Sequence, residues 1–249
     1  MKNLHVCFFD SGIGGISLLY DCVCKLPNVD FTYFADNDNV PYGSLSHDKI
    51  LKLTLRRFDE IRERNPSAAV VACNTVTAQC IDYLRNKYPF EIVGIQPAIK
   101  PAAEIGRTLV LATPSTAHSS SLLTLQNKYG MGRTYVEACK NLAEYIEKNI
   151  FDISEDEIIS RLPKADCDAV VLGCTHYIFV KEIIRNFYSC PIFDGIDGTS
   201  ERLCHILGLN DSKAPRSQKI DFVDGDSAKN RLIFDFLMVK NGGLSQKIE

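Results

Sequence analysis

Two stretches of this sequence end an apolar run on a thiol and follow it with hydrogen-bonding side chains. Ala68 to Thr75 reads Ala-Ala-Val-Val-Ala-Cys-Asn-Thr, and Ala169 to His176 reads Ala-Val-Val-Leu-Gly-Cys-Thr-His. A short run rich in β-branched residues is the pattern of a strand buried on both faces of a parallel sheet. A helical pattern follows each copy, so Cys73 and Cys174 are expected at strand carboxyl ends, facing a helix N-terminus. Open α/β sheets hold their ligands there. Two thiols presented in this way can face one small ligand from opposite sides. One would take a proton from a carbon while the other delivers a proton to the opposite face, which is what inverting a stereocentre requires. Cysteine suits both roles, because its thiolate fraction is appreciable near neutral pH and rises beside a helix N-terminus or an imidazolium. A lone cysteine after a strand is more often packing than catalysis, by roughly four to one. The matched pair reverses those odds, since each thiol has a threonine close behind it and an anion-binding loop in its own half.

The elements that must position these groups can be read outward from the thiols. Leu4 to Asp10 predicts a strand and Ile16 to Leu26 a helix, joined by Ser11-Gly12-Ile13-Gly14-Gly15. A glycine-rich turn at such a junction lets backbone N–H groups approach an anion. It is not a dinucleotide fingerprint, because Ser17 stands where the third glycine is required. Asp10 lies at the same sheet edge as Cys73. Thr113-Pro114-Ser115-Thr116, after a strand at Thr108 to Ala112, holds the equivalent place in the second half. A carbanion-like transition state needs preorganised donors, and Ser11, Asn74, Thr75 and Thr175 can supply them. The loop from Asp36 to Ser44 is rich in turn formers, and its Pro41-Tyr42-Gly43 can bring a tyrosine and backbone donors to a ligand. Its acids and amides do not have EF-hand spacing.

Elsewhere the periodicity predicts a strand at 30–35 and a helix from about Asp48 to Arg64, capped by Ser46. Leu51, Leu55 and Phe58 form its core stripe, with Arg56, Arg57, Arg62 and Arg64 as its solvated face. A helix at 76–87 and a short strand at 92–94 follow. Gln96 to Pro101 then breaks the pattern where the chain crosses to a second domain. Helical patterns span 117–129, 142–148 and 178–187. Ser154 to Glu157 is a capping box opening a helix that runs to Leu162, and a short strand is expected at 191–194. The chain is expected to return near Leu203 to Leu209, adding a strand at 220–223 and a terminal helix. The expected division is therefore 1–97 with 205–249, and 98–204.

With 249 residues, 45% of them hydrophobic, the chain can bury two cores. A net charge of −3 with dispersed basic residues gives no footprint for nucleic acid or an anionic membrane. The start lacks the apolar stretch of a signal peptide, and no run approaches a membrane span, so a cytoplasmic protein is expected. Ten cysteines without an export signal are expected to be mostly reduced core residues. Zinc is disfavoured: there is no Cys-x-x-Cys, and Cys22 and Cys24 point about 200° apart on a helix. A thiol hydrolase or amidotransferase could use Cys174 with His176, yet residues two apart rarely pair in that way and Cys73 would be idle. An amino-acid binding module also has two α/β domains around a cleft, but needs no thiols there.

Phe9-Asp10-Ser11-Gly12-Ile13-Gly14-Gly15, Val40-Pro41-Tyr42-Gly43, Val71-Ala72-Cys73-Asn74-Thr75 and Leu172-Gly173-Cys174-Thr175-His176 resemble, in order, the signature segments of glutamate racemases. The resemblance runs to about residue 200. It implies two α/β domains with mainly parallel sheets related by a pseudo-twofold axis, the active site in the cleft between them, and a homodimer. It implies an isomerase that interconverts L- and D-glutamate without cofactor or metal, supplying D-glutamate for peptidoglycan. Cys73 and Cys174 match the family's paired acid and base, assisted by Asp10 and His176. The substrate-binding positions match Asp10, Ser11, Tyr42, Gly43, Asn74, Thr75, Thr175 and His176. The aspartate branch usually has an acid after Cys-Thr, and His176 favours the glutamate branch. Ile178 stands where the family commonly has proline, Gly195 where it has serine, and Lys140-Asn141 replaces a more apolar pair. Glu147 matches a family acid near the pocket, although its helical setting reads as exposed.

Overall fold

The computed structural model describes residues 4–130, 132–209, 217–223 and 225–240. The first half runs β1 (Leu4–Asp10), α1 (Ile16–Lys25), β2 (Val29–Ala35), α2 (His47–Glu63), β3 (Ala68–Val71), α3 (Asn74–Lys87) and β4 (Glu91–Gly94). After α4 (Ile99–Ile105) come β5 (Thr108–Ala112), α5 (Pro114–Ala117), α6 (Ser120–Tyr129), β6 (Thr134–Ala138), α7 (Leu142–Asn149) and α8 (Glu155–Ile159). The chain continues with β7 (Ala169–Gly173), a 3₁₀ segment (Thr175–Val180), α9 (Lys181–Tyr188), β8 (Ile192–Phe193), α10 (Ile196–Leu207), β9 (Ile220–Val223) and α11 (Ser227–Lys240).

The strands form two parallel sheets, in the orders β4-β3-β1-β2-β9 and β6-β5-β7-β8. Reversed, the second order becomes β8-β7-β5-β6, which repeats the first four strands in connectivity. β3 and β7, the strands leading to the thiols, thus hold equivalent places beside the central strands β1 and β5. Both are fully buried, as their unbroken apolar runs require when helices cover both faces of a sheet.

Alternation along each strand sorts the side chains into layers. From β1, Val6 and Phe8 join Leu19, Val23 and Leu203 on one face, while Cys7 and Phe9 join Phe58, Ile61 and Leu84 on the other. In the second sheet Leu109, Leu111, Val170 and Leu172 pack on Leu142, Ile146 and Ile184, and Val110 and Val171 pack on Ile99, Ala102 and Leu122. The cysteines are all free, six of them buried in these layers.

Several local expectations shift. The buried stripe of α2 is Ile50, Thr54, Arg57, Phe58 and Ile61, so Leu51 and Leu55 are only half-buried. Arg57 is no part of a solvated face. It is 6% exposed, and its guanidinium meets Asp36 at 3.7 Å and Glu60 at 3.0 Å. The helical pattern at 117–129 is broken at His118 into α5 and α6, each capped by a side-chain oxygen, Thr113 and Ser119. α8 stops at Ile159, short of Leu162, although Ser154 accepts from the Glu157 amide as the capping box implies. Among the described residues no helix is long and apolar enough to cross a membrane.

Candidate functional site

The carboxyl edges of the two sheets face each other, and matching positions on them carry polar or nucleophilic groups. Asp10 closes β1 and Thr113 follows β5; Asp36 follows β2 and Cys139 follows β6; Cys73 follows β3 and Cys174 follows β7. Each thiol is nearly enclosed, Cys73 at 5% and Cys174 at 6% exposure. Cys73 is the N-cap residue of the fourteen-residue α3. Cys174 instead precedes the 3₁₀ segment, which corrects the expectation of a helix at 178–187: the α-helix begins only at Lys181. Thr175 and His176, the first two residues of that segment, are both buried.

Asp10 ties the two edges together. Its Oδ1 accepts from the Gly12 amide at 3.1 Å and from Ser11 Oγ at 3.2 Å, and Ser11 Oγ also meets Cys73 Sγ at 3.6 Å. Its Oδ2 accepts from Thr175 Oγ1 at 3.3 Å, next to the other thiol. Burial raises the Asp10 carboxyl to about 6, against the pull of His176 and the Gly12 amide. Burial, helped by the Asp10 charge, pushes the Cys73 thiol up to about 12, while the Val76 amide and Ser11 hydroxyl act the other way. At neutral pH Cys73 therefore carries its proton.

On the other side His176 Nδ1 lies 3.8 Å from Cys174 Sγ, and its Nε2 lies 2.7 Å from Glu147 Oε2. Burial alone would lower the His176 pKa, but Cys174 and Glu147 raise it well above its ordinary value. Glu147 in turn falls to about 2: the His176 bond and charge, the Ile13 amide and Lys229 outweigh its burial. The expectation of an exposed glutamate is thus overturned, for Glu147 is 4% exposed. Its spacing carried the signal, since 143, 146 and 147 fall on one helical face and all three are buried.

The ten residues singled out from the sequence, Asp10, Ser11, Tyr42, Gly43, Cys73, Asn74, Thr75, Cys174, Thr175 and His176, are all buried. The Tyr42 hydroxyl donates to Asp36 Oδ2 at 2.5 Å, and that bond together with burial holds its proton far above the ordinary range. Asp36 is not among those ten, although its place directly after β2 copies that of Asp10 at the end of β1. Thr75 Oγ1 meets Thr113 Oγ1 at 3.0 Å and Thr116 Oγ1 at 3.2 Å, a three-threonine cluster across the two halves. The buried Asn74 Nδ2 has no hydrogen-bond partner, so a donor is left for a ligand to satisfy.

The glycines of the first loop have a second role beyond anion approach. A Cβ at Gly14 would stand 2.3 Å from Thr175 Oγ1 and 2.8 Å from His176 Nδ1, and one at Gly12 would stand 2.3 Å from Glu147 Oε2. Gly43 meets Thr113 in the same way, at 2.5 Å. These positions let the halves close to backbone contact. A cavity of about 300 Å³ opens beside Gly43, lined also by Ser44, Thr113, Cys139 and Asn141 but by neither thiol. A larger groove of about 910 Å³ lies along β4 and α10, and it too is lined by neither thiol. Among the described residues no three His, Cys, Asp or Glu side chains gather in a way that could hold a metal ion.

The sequence profile of the Asp/Glu/Hydantoin racemase family matches residues 31–202. The glutamate racemase of Clostridium novyi (strain NT) is 41% identical over 224 residues, covering 85% of this chain and 86% of that protein. Escherichia coli glutamate racemase, solved with L-glutamate and the activator UDP-MurNAc-ala, superposes with a TM-score of 0.81 at 27% identity over 95% of each chain. The Francisella tularensis glutamate racemase, solved with D-glutamate, superposes at 0.76 with 25% identity over 94% of each.

Proposed function

This chain belongs to the Asp/Glu/Hydantoin racemase family and is an isomerase of the amino-acid racemase kind, and from that premise we propose that it interconverts L- and D-glutamate by direct proton transfer between two thiols. The observation that carries the reading is the pair of enclosed cysteines at equivalent strand ends of two sheets of like topology. The names of its relatives supply the substrate, and His176 after Cys174-Thr175 supports glutamate over aspartate.

In one direction the Cys174 thiolate takes the Cα proton, forming an S–H bond, and the electron pair left on Cα spreads into the carboxylate. The Cys73 thiol then gives its proton to the opposite face and becomes the thiolate. The reverse direction exchanges the two roles. His176 donates to the Cys174 sulfur and Asp10 holds the substrate ammonium. Asn74, Thr75, Ser11 and Thr175 donate to the carboxylates, with Gly43 and Tyr42 closing the pocket wall. Preorganised donors of this kind stabilise charge that develops only in the transition state. The substrate ammonium also brings a positive charge toward Cys73, which eases its ionisation after the proton has left. We further propose that the enzyme supplies D-glutamate for peptidoglycan, acts in the cytoplasm as a homodimer, and needs no cofactor, nucleic acid or membrane.

The test is incubation of EDTA-treated, dialysed protein with L-glutamate, followed by polarimetry. Rotation is expected to decay to zero without pyridoxal phosphate. Activity restored only by pyridoxal phosphate contradicts the two-thiol reading, and activity on aspartate alone moves the substrate to the other branch.

A further inference from the structure

Behind His176 the carboxylate of Glu147 is held by the C-terminal helix, a part of the chain with no signature residues. Lys229 Nζ donates to the Glu147 carbonyl at 2.8 Å and lies 3.5 Å from Glu147 Oε1, where its charge helps keep the carboxylate ionised. A second tie runs through Asn37. Its Nδ2 donates to Glu147 Oε1 at 3.0 Å, and its Oδ1 accepts from Asn230 Nδ2 at 3.1 Å and from the Asp226 amide at 3.3 Å. Asn230 is 1% exposed, and the turn leading into α11 packs so closely that a Cβ at Gly225 would stand 2.2 Å from Asn37 Oδ1. Oε1 is thus fixed by α11 and the β2 loop, leaving Oε2 for His176 and the Ile13 amide.

We propose that Lys229 and Asn37 are positioning residues for the Cys174 side of the reaction: together they clamp Glu147, and through it the imidazole that faces Cys174. The inference rests on the two-thiol reading above. All the ties converge on Glu147 and His176, which meets the Cys174 sulfur, whereas the Cys73 sulfur meets Ser11 Oγ; Asp10, bonded to both Ser11 and Thr175, is shared by the two sides. Loosening the clamp therefore impairs one base and spares the other. Free L- and D-glutamate have equal free energy, so racemisation itself slows equally in both directions and cannot reveal the bias. Elimination from a glutamate analogue with a leaving group on Cβ can, because one base takes the Cα proton and the electron pair on Cα expels the leaving group with no second proton transfer.

The experiment compares wild type, Lys229→Met, Lys229→Arg and Asn37→Ala on both enantiomers of such an analogue. The enantiomer deprotonated by Cys174 is the one on which Cys73→Ser still eliminates. On that enantiomer Lys229→Met and Asn37→Ala are expected to lose on the order of 10- to 100-fold in kcat, the scale of a small misplacement of a catalytic group. The other enantiomer keeps its wild-type rate, and Lys229→Arg recovers most of the loss. Equal losses on both enantiomers, or no loss, overturn the clamp, since a merely structural helix would weaken both faces alike. A wild-type protein that neither racemises glutamate nor eliminates overturns the two-thiol reading instead, so the two failures are told apart.

Discussion

Burial raises both of the acids nearest the thiols, yet they end shifted in opposite directions, according to what pairs with each. Glu147 has an imidazolium at 2.7 Å and drops to about 2, whereas Asp10 has only hydroxyl and amide donors within bonding distance and rises to about 6. The signs give different stability profiles. The Glu147 contribution is fully present above the ordinary 4.5 and lost as the pH falls toward 2. For Asp10 the folded state binds the proton more tightly than the unfolded chain, so stability declines as the pH rises from the ordinary 3.8 to about 6 and stays lower above it. Asp10→Asn removes that decline. Urea unfolding at pH 4 and pH 8 is expected to show the variant gaining on wild type at the higher pH, by on the order of 2–3 kcal/mol. Racemisation should be strongly reduced at the same time. Parallel profiles for the two proteins would show that Asp10 does not carry a buried charge.

Among the elements, those built from strong periodicity were legible and those that depend on tertiary context were not. β1 and β5 lie where the sequence puts them, because buried runs and flanking turn formers leave little freedom, and β9 does so too although only its Ile220 is buried. β6 escaped because it is a half-buried edge strand, Thr-Tyr-Val-Glu-Ala, with no apolar run. α4 escaped because Pro97 and Pro101 read as a break, although a proline in the first turn of a helix removes no internal bond. α10 opens on Ile-Asp-Gly-Thr-Ser, turn-like in composition, yet the Asp194 carboxylate caps the Ile196 amide at 3.1 Å. Leu203 of that helix is buried in the first half's core. We therefore propose that the chain returns to its first domain near Gly195, ahead of the 205 expected from sequence, while the outward crossing stays near 97. The two crossings touch: a Cβ on Gly195 would stand 2.2 Å from the Gln96 carbonyl oxygen. Gly195→Ser, which installs the residue glutamate racemases commonly carry there, is expected to force these backbones apart and destabilise by about 1–3 kcal/mol in urea unfolding. A neutral result would show that the crossings yield freely.

At the scale of the whole molecule, two sheets of one topology place their carboxyl edges together, and the candidate site is what lies between. The four motifs made most of it readable, since each sits directly after a strand or in the loop that follows one. The glycines, taken as anion binders, are equally the points where one half meets the other. The pairing of Glu147 with His176 and the α11 contacts were not readable from residue spacing, because only the packing of distant segments brings them together. The near-symmetry of the thiols carries the central claim, that they act on opposite faces of one carbon. The most direct measurement is elimination from both enantiomers of a β-leaving-group glutamate analogue by Cys73→Ser and Cys174→Ser. Each variant should lose racemisation by 10²- to 10⁴-fold or more, on the order expected for a positioned acid or base, and equally in both directions. Each should retain elimination on one enantiomer and lose it on the other, with opposite preferences. If both variants fail on the same enantiomer, the thiols do not face opposite sides of Cα and the account is wrong.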